Sequence, residues 1–222
     1  MVRAAACVIF SLGAVPAYAD SLDSEIRSRI EHFNDSGSLR LDSAPIAAGE
    51  LIIDFYRERE FRPAWISQQN IEDLLNVIEE SEVFGFNPED FHQSNLVSIL
   101  AKADFDQINN SARADLDILS TDALLRLAYM HYFGKVDPVA LDDNWNLDRP
   151  LFRNEPVEVL NNTLDGERII ELIDRLRLKH PFYVDLISAL TRYQIISRQG
   201  GWRQVPPGPA LKPGMDDPRI PI

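Results

Sequence analysis

The chain has 222 residues, 45% of them hydrophobic, with 22 basic and 35 acidic side chains, a formal net charge of −13 and a single cysteine. That length suits one domain able to bury a sizeable core. The acidity excludes a nucleic-acid-binding or anionic-membrane-binding face, since both need a basic surface.

Residues 1–19 read as a signal peptide: Arg3 is the positive start, Ala4 to Val15 a short apolar run, and Ala17-Tyr18-Ala19 before Asp20 an A-x-A cleavage site. The run is too short to span a bilayer, and no later stretch reaches 18 apolar residues. Cleavage between Ala19 and Asp20 would remove Cys7, so residues 20–222 would hold neither thiol nor disulfide.

Residues 20–46 are expected to be a mobile lead-in with one short helix, carrying Leu22, Ile26, Ile30 and Phe33 at helical spacing before the turn-rich Asn34 to Pro45. A helix from about Ala47 to Glu60 follows, with Leu51, Ile52, Phe55 and Tyr56 inward. It ends before Phe61-Arg62-Pro63-Ala64-Trp65, where Pro63 forces an extended turn at Arg62. Asn70 suits the N-cap of a helix over Ile71–Ser81, and Asn87 with Pro88 at N1 starts another that carries Phe91, Leu96, Ile99 and Leu100. Ala101 to Asn110 is a polar connector. The longest pattern, Leu116 to Pro138, has Leu116, Leu119, Ala123, Leu124, Leu127 and Met130 on one face and stops at Gly134-Lys135 before Pro138. Val139 to Asn154, with Trp145, is irregular. Asp165 suits the cap of a helix over Glu167–Leu178, and Pro181 opens a last one that Gly200-Gly201 stops. Six of the last 21 residues are proline, so no helix is expected there. The class is all-α: a single irregular bundle of six or seven helices around a long central one, with a Pro-rich extended tail and no confident strand.

Several of these stretches, in this order, resemble the N-terminal scaffold domain of the larger periplasmic murein L,D-transpeptidases. They are LIIDFYREREFRPAWIS at 51–67, GFNPEDFH at 85–92, LDILSTDALLRLAYMHYFGKVDP at 116–138, LKHPFYVDLISALTRYQIISRQGGW at 178–202 and LKPGMDDPRI at 211–220. The resemblance implies a scaffold domain over 47–202, a linker over 203–222 opening a following module, and a periplasmic location. In that family a peptidoglycan-binding-like module and a catalytic domain follow, the latter with a nucleophilic cysteine in a Ser-His-Gly-Cys motif. No such motif occurs here, and a thioester route needs a thiolate. The expected role is therefore a non-catalytic scaffold in peptidoglycan cross-linking and cell-wall organisation, with peptidoglycan or wall-synthesis enzymes as partners and neither nucleic acid nor membrane. The stop after DDPRIPI reads as a truncation, which would leave apolar surface of the body exposed.

No catalytic, cofactor-binding or metal-binding residue is assigned, and no cofactor is expected. His32, His92, His131 and His180 lack metal-ligand spacing. Glu79/Glu80, Glu89/Asp90 and Asp142/Asp143 are the carboxylate pairs that an alternative reading, a wall-lytic glycosidase, would use. First-turn and solvated acids explain them more simply. Neither G-x-S-x-G nor a glycine-rich phosphate loop occurs. Trp65, Trp145 and Trp202 are taken as structural anchors, together with Pro63 and Gly134.

Overall fold

The computed structural model describes residues 21–36, 40–41, 43–136, 155–202, 204 and 206–219. Its α-helices run α1 (Leu22–Ser36), α2 (Gly49–Glu58), α3 (Gln68–Glu80), α4 (Gln93–Leu100), α5 (Asn110–Phe133), α6 (Pro156–Asp165), α7 (Ile169–Leu176) and α8 (Pro181–Arg198). With eight helices among the described residues, the class is all-α. Strands β1 (Arg40–Leu41) and β2 (Ala44–Pro45) form one antiparallel hairpin, pairing Arg40 with Pro45 and Leu41 with Ala44. The sequence reading had a loop there, because two residues per strand are too few to show an alternating pattern.

Helix α5 is the axis. Its 24 residues, about 36 Å at 1.5 Å per residue, begin six positions earlier than the apolar pattern, where the Asn109 side chain accepts the Ala112 N–H at 2.9 Å. It ends at Gly134, whose φ of +85° suits glycine and whose N–H donates to Met130 O. Helices α1, α2, α3, α4 and α7 all pack on it. From Leu116 to Leu125 every residue is buried, so α5 has no solvent face over that stretch, in place of the single apolar face the spacing suggests. The surrounding core includes Ile26, Ile30, Ile52, Phe55, Trp65, Leu74, Ile78, Phe91, Leu96 and Ile173.

Three boundaries differ from the sequence reading. Helix α3 starts after Ser67, and Asn70, instead of capping, is buried with its Nδ2 donating to Leu164 O at 2.8 Å. Asn87 does accept the Glu89 N–H, but Pro88–Phe91 is only a 3-10 turn. His92 then takes a left-handed conformation, φ 61°, before α4. Asp165 closes α6, a helix with Pro156 in its first turn, instead of capping the helix after it. At Asn70 a tertiary partner, the Leu164 carbonyl, takes the side chain that the local pattern offers as a cap.

Helix α8 lies at the edge, against the 3-10 turn Ser81–Phe84, and has no buried residue. Leu190 reaches the turn at Gly85, whose φ is +81°, and a Cβ there would sit 3.2 Å from Leu190 Cδ2. Gln194 Nε2 donates to Glu82 O at 3.0 Å. Beyond Trp202 the described residues contain no helix or strand. Residues 1–20, with the Ala19–Asp20 cleavage position and Cys7, lie outside the described residues, as do Trp145 and the Asp142/Asp143 pair.

Candidate functional site

The strongest concentration of polar chemistry is buried along α5, at Asp117, Thr121 and Asp122. Asp117 Oδ2 accepts the Trp65 N–H at 3.0 Å, Oδ1 accepts the Ala64 N–H at 3.0 Å, and the Tyr56 hydroxyl donates to Oδ1 at 2.7 Å. Thr121 Oγ1 accepts from Trp65 Nε1 at 2.9 Å, donates to Asp117 O at 3.0 Å and touches the Tyr56 hydroxyl at 2.9 Å. Trp65 is thus held by its backbone, its indole and, through its carbonyl, by Arg113 Nη2 at 2.8 Å. It is fully buried, and Pro63 sits in the same turn, where Glu60 and Phe61 both have positive φ. The Pro63 carbonyl accepts from Arg59 Nη2 at 2.9 Å.

Burial pushes the Asp117 carboxyl above its ordinary range, against the downward pull of the Ala64 and Trp65 amides, the Tyr56 hydroxyl and Arg113. Burial, and then the Asp117 charge, likewise push the Tyr56 phenol up. The Tyr56 and Thr121 hydroxyls complete the cluster, with contacts to Asp117 Oδ1, to Asp117 O and to each other.

One and a half turns on, Asp122 Oδ1 accepts the Ala47 and Ala48 N–H groups, both at 2.9 Å. These amides stand at the entry to α2, so a side chain from α5 does the work of an N-cap that Ala48 cannot do. Its other oxygen lies 2.7 Å from His92 Nε2 and 2.7 Å from Arg126 Nε. Arg126 donates through Nη1 to Asp90 O and through Nη2 to Pro45 O, joining the hairpin and the 88–91 turn to α5. Closed to solvent and bonded to the chain's own backbone, both carboxylates position segments. Neither reaches a surface where a substrate could meet it.

The sequence had marked none of these residues as a set. The signal was present, since Asp117 and Ser120-Thr121-Asp122 interrupt an apolar helix, but their partners lie 52 to 75 residues earlier in the case of Trp65 and Ala47.

His131 is buried with neither ring nitrogen hydrogen-bonded within the protein, its ring edge-on to Phe84 and Phe86 at 5.1 and 5.2 Å. Burial, helped by the charge of Arg177 and opposed by Asp174, lowers its pKa to about 4. His180 Nδ1 accepts the Phe182 N–H at 3.3 Å at the start of α8. Glu80 pairs with Arg177, Asp90 with Lys135, and Glu89 accepts from Ser94 Oγ. Among the described residues no three His, Cys, Asp or Glu side chains are placed to hold a metal ion, and no helix is long and apolar enough to cross a membrane. Trp202 is exposed, its ring 5.5 Å from Tyr193 of α8.

Two open hollows flank the buried cluster. An apolar groove of about 580 Å³ runs between the entry to α2 and the second half of α5, lined by Ala48, Leu51, Leu125, Tyr129 and Met130. An acidic hollow of about 740 Å³ is edged by Asp54, Glu58, Glu155 and Glu158.

The family model described as Scaffold domain matches residues 50–190, which runs from the start of α2 into α8 and includes Asp117, Thr121, Asp122 and most of their partners. No curated protein and no solved structure matches the chain.

Proposed function

Since the chain belongs to the Scaffold domain family, we propose that it is the non-catalytic scaffold portion of a murein L,D-transpeptidase, exported to the periplasm. There it positions a catalytic domain or partner enzymes during peptidoglycan cross-linking. The single observation that carries the reading is the use made of the buried carboxylates. Asp117 and Asp122 are spent on backbone amides of residues 47, 48, 64 and 65, so they fix a shape instead of moving protons to a substrate. The five stretches resembling murein L,D-transpeptidases point to the enzyme that such a body serves. Peptidoglycan or wall-synthesis enzymes are its partners on this reading, and nucleic acid and membrane are not.

The test has two arms. Incubated alone with sacculi or isolated muropeptides, the folded chain should form no cross-link between diaminopimelate residues. Mixed with a separately produced L,D-transpeptidase catalytic domain, it should bind that domain. Cross-links made by the chain alone would sink the non-catalytic role. Failure to bind any catalytic domain of that class would sink the transpeptidase assignment.

A further inference from the structure

Helix α8 buries nothing, yet it is not polar on its outer side. Its inner face is set by Leu190 against Gly85 and by Gln194 and Arg198 against Glu82. About a third of a turn round the helix lies a second stripe: Phe182, Leu186, Ala189, Tyr193 and Ile196, at steps of four, three, four and three. Phe182 is 75% exposed, Leu186 66% and Tyr193 59%, and Trp202, 65% exposed, extends the stripe from Tyr193. A 4-3-4-3 repeat is the a/d seam of a helix that packs lengthwise on another helix.

We propose that this face pairs with the same face of a second copy of the chain, the two α8 helices running antiparallel with the two-fold axis at Ala189. Three observations select that occupant. Ala189, the smallest residue of the seam, stands at its centre, where two helices related by a two-fold axis come closest. About that point Phe182 stands level with Ile196 of the other copy, and Leu186 comes within one residue of level with Tyr193, so large side chains face apolar ones throughout. Lastly, Asp185 and Arg192 both flank the stripe at the position before an a residue, seven apart, and both are exposed and form no ion pair among the described residues. In the antiparallel pair each Asp185 stands opposite Arg192 of the other copy, making two symmetric ion pairs. A parallel pair would set them against Leu190 and Ser197 and make none.

The area suffices. At 150–250 Å² per aromatic side chain, the exposed parts of Phe182, Leu186, Tyr193 and Trp202 come to roughly 500 Å² per copy. With the flanking polar residues, two copies bury about 1,200–1,600 Å², inside the range of specific interfaces.

The experiment is sedimentation or light scattering of residues 20–222, the exported form, over a concentration series. The expected mass is twice that of one chain, falling to the monomer with Leu186→Asp while the helical circular dichroism stays unchanged. Asp185→Arg alone should weaken the dimer at least tenfold, and Asp185→Arg with Arg192→Asp should restore it. A wild-type chain that stays monomeric, or a dimer that survives Leu186→Asp, overturns the proposal. A double charge reversal that fails to restore pairing overturns it too.

Discussion

Helices α5 and α8 are both long, both rich in leucine and isoleucine, and opposite in what the fold does with them. Every residue of α5 from Leu116 to Leu125 is buried, including two aspartates, a serine and a threonine. In α8 no residue is buried, including phenylalanine, leucine and tyrosine. Burial here follows position in the bundle and not hydrophobicity: α5 is wrapped by five helices, whereas α8 packs chiefly on the Ser81–Phe84 turn and the adjoining Gly85. The body therefore carries the stability, and α8 carries surface.

The largest effect expected on that contrast is at Asp117. Asp117→Ala orphans the Ala64 and Trp65 amides and the Tyr56 hydroxyl in the core, and should cost about 3–5 kcal/mol in denaturant unfolding. Asp117→Asn keeps one oxygen to accept the Ala64 and Trp65 amides while removing the charge, and should cost about 1–2 kcal/mol, less than alanine. Equal losses in the two variants would mean that the charged carboxylate is what the core requires.

His131 comes next. Its folded pKa of about 4 lies below the unfolded value of 6.5, so between those values the unfolded chain binds more protons. The stability associated with a neutral His131 is fully present above about pH 6.5 and is lost as pH falls toward 4, by on the order of 3 kcal/mol. Asp117, with its folded pKa raised, acts in the other direction: its contribution declines as pH rises above the ordinary carboxyl range. Unfolding curves from pH 4 to 7 should thus flatten for His131→Leu in the Asp117→Asn background. A slope that persists there assigns the pH dependence elsewhere.

Smaller is the cap of α5: Asn109→Ala should lower stability by about 1 kcal/mol, read from the denaturation midpoint. Smallest is Val184→Thr, on an exposed part of α8 away from the proposed seam, expected within about 0.5 kcal/mol of wild type. Amide exchange sharpens the same contrast, with α5 amides opening only in global unfolding and α8 amides well before. Matching protection in the two helices would break it.

Much of the local structure was legible. The apolar spacing of Ile26-Ile30-Phe33 and Ile169-Leu172-Ile173, the stop at Gly134 and the start at Pro181 act over a few residues, so the chain alone specifies them. Helix α6, Pro156–Asp165, is not legible from the local pattern, and Asp165 ends it instead of capping α7, because capping residues look alike at the end of one helix and before the next. The hairpin at 40–45 was too short to leave a pattern.

By itself the sequence determined that the chain is helical and roughly where its helices stop. Only the tertiary structure decided that Asp117 and Asp122 are core residues, that Asn70 serves Leu164 instead of a helix start, and that α8 keeps an apolar seam in solvent. The reason is distance along the chain. A hydrogen bond from Asp122 to Ala47 spans 75 residues, and the desolvation that sets the charge of Asp117 exists only after α2, the 61–65 turn and α5 have closed around it.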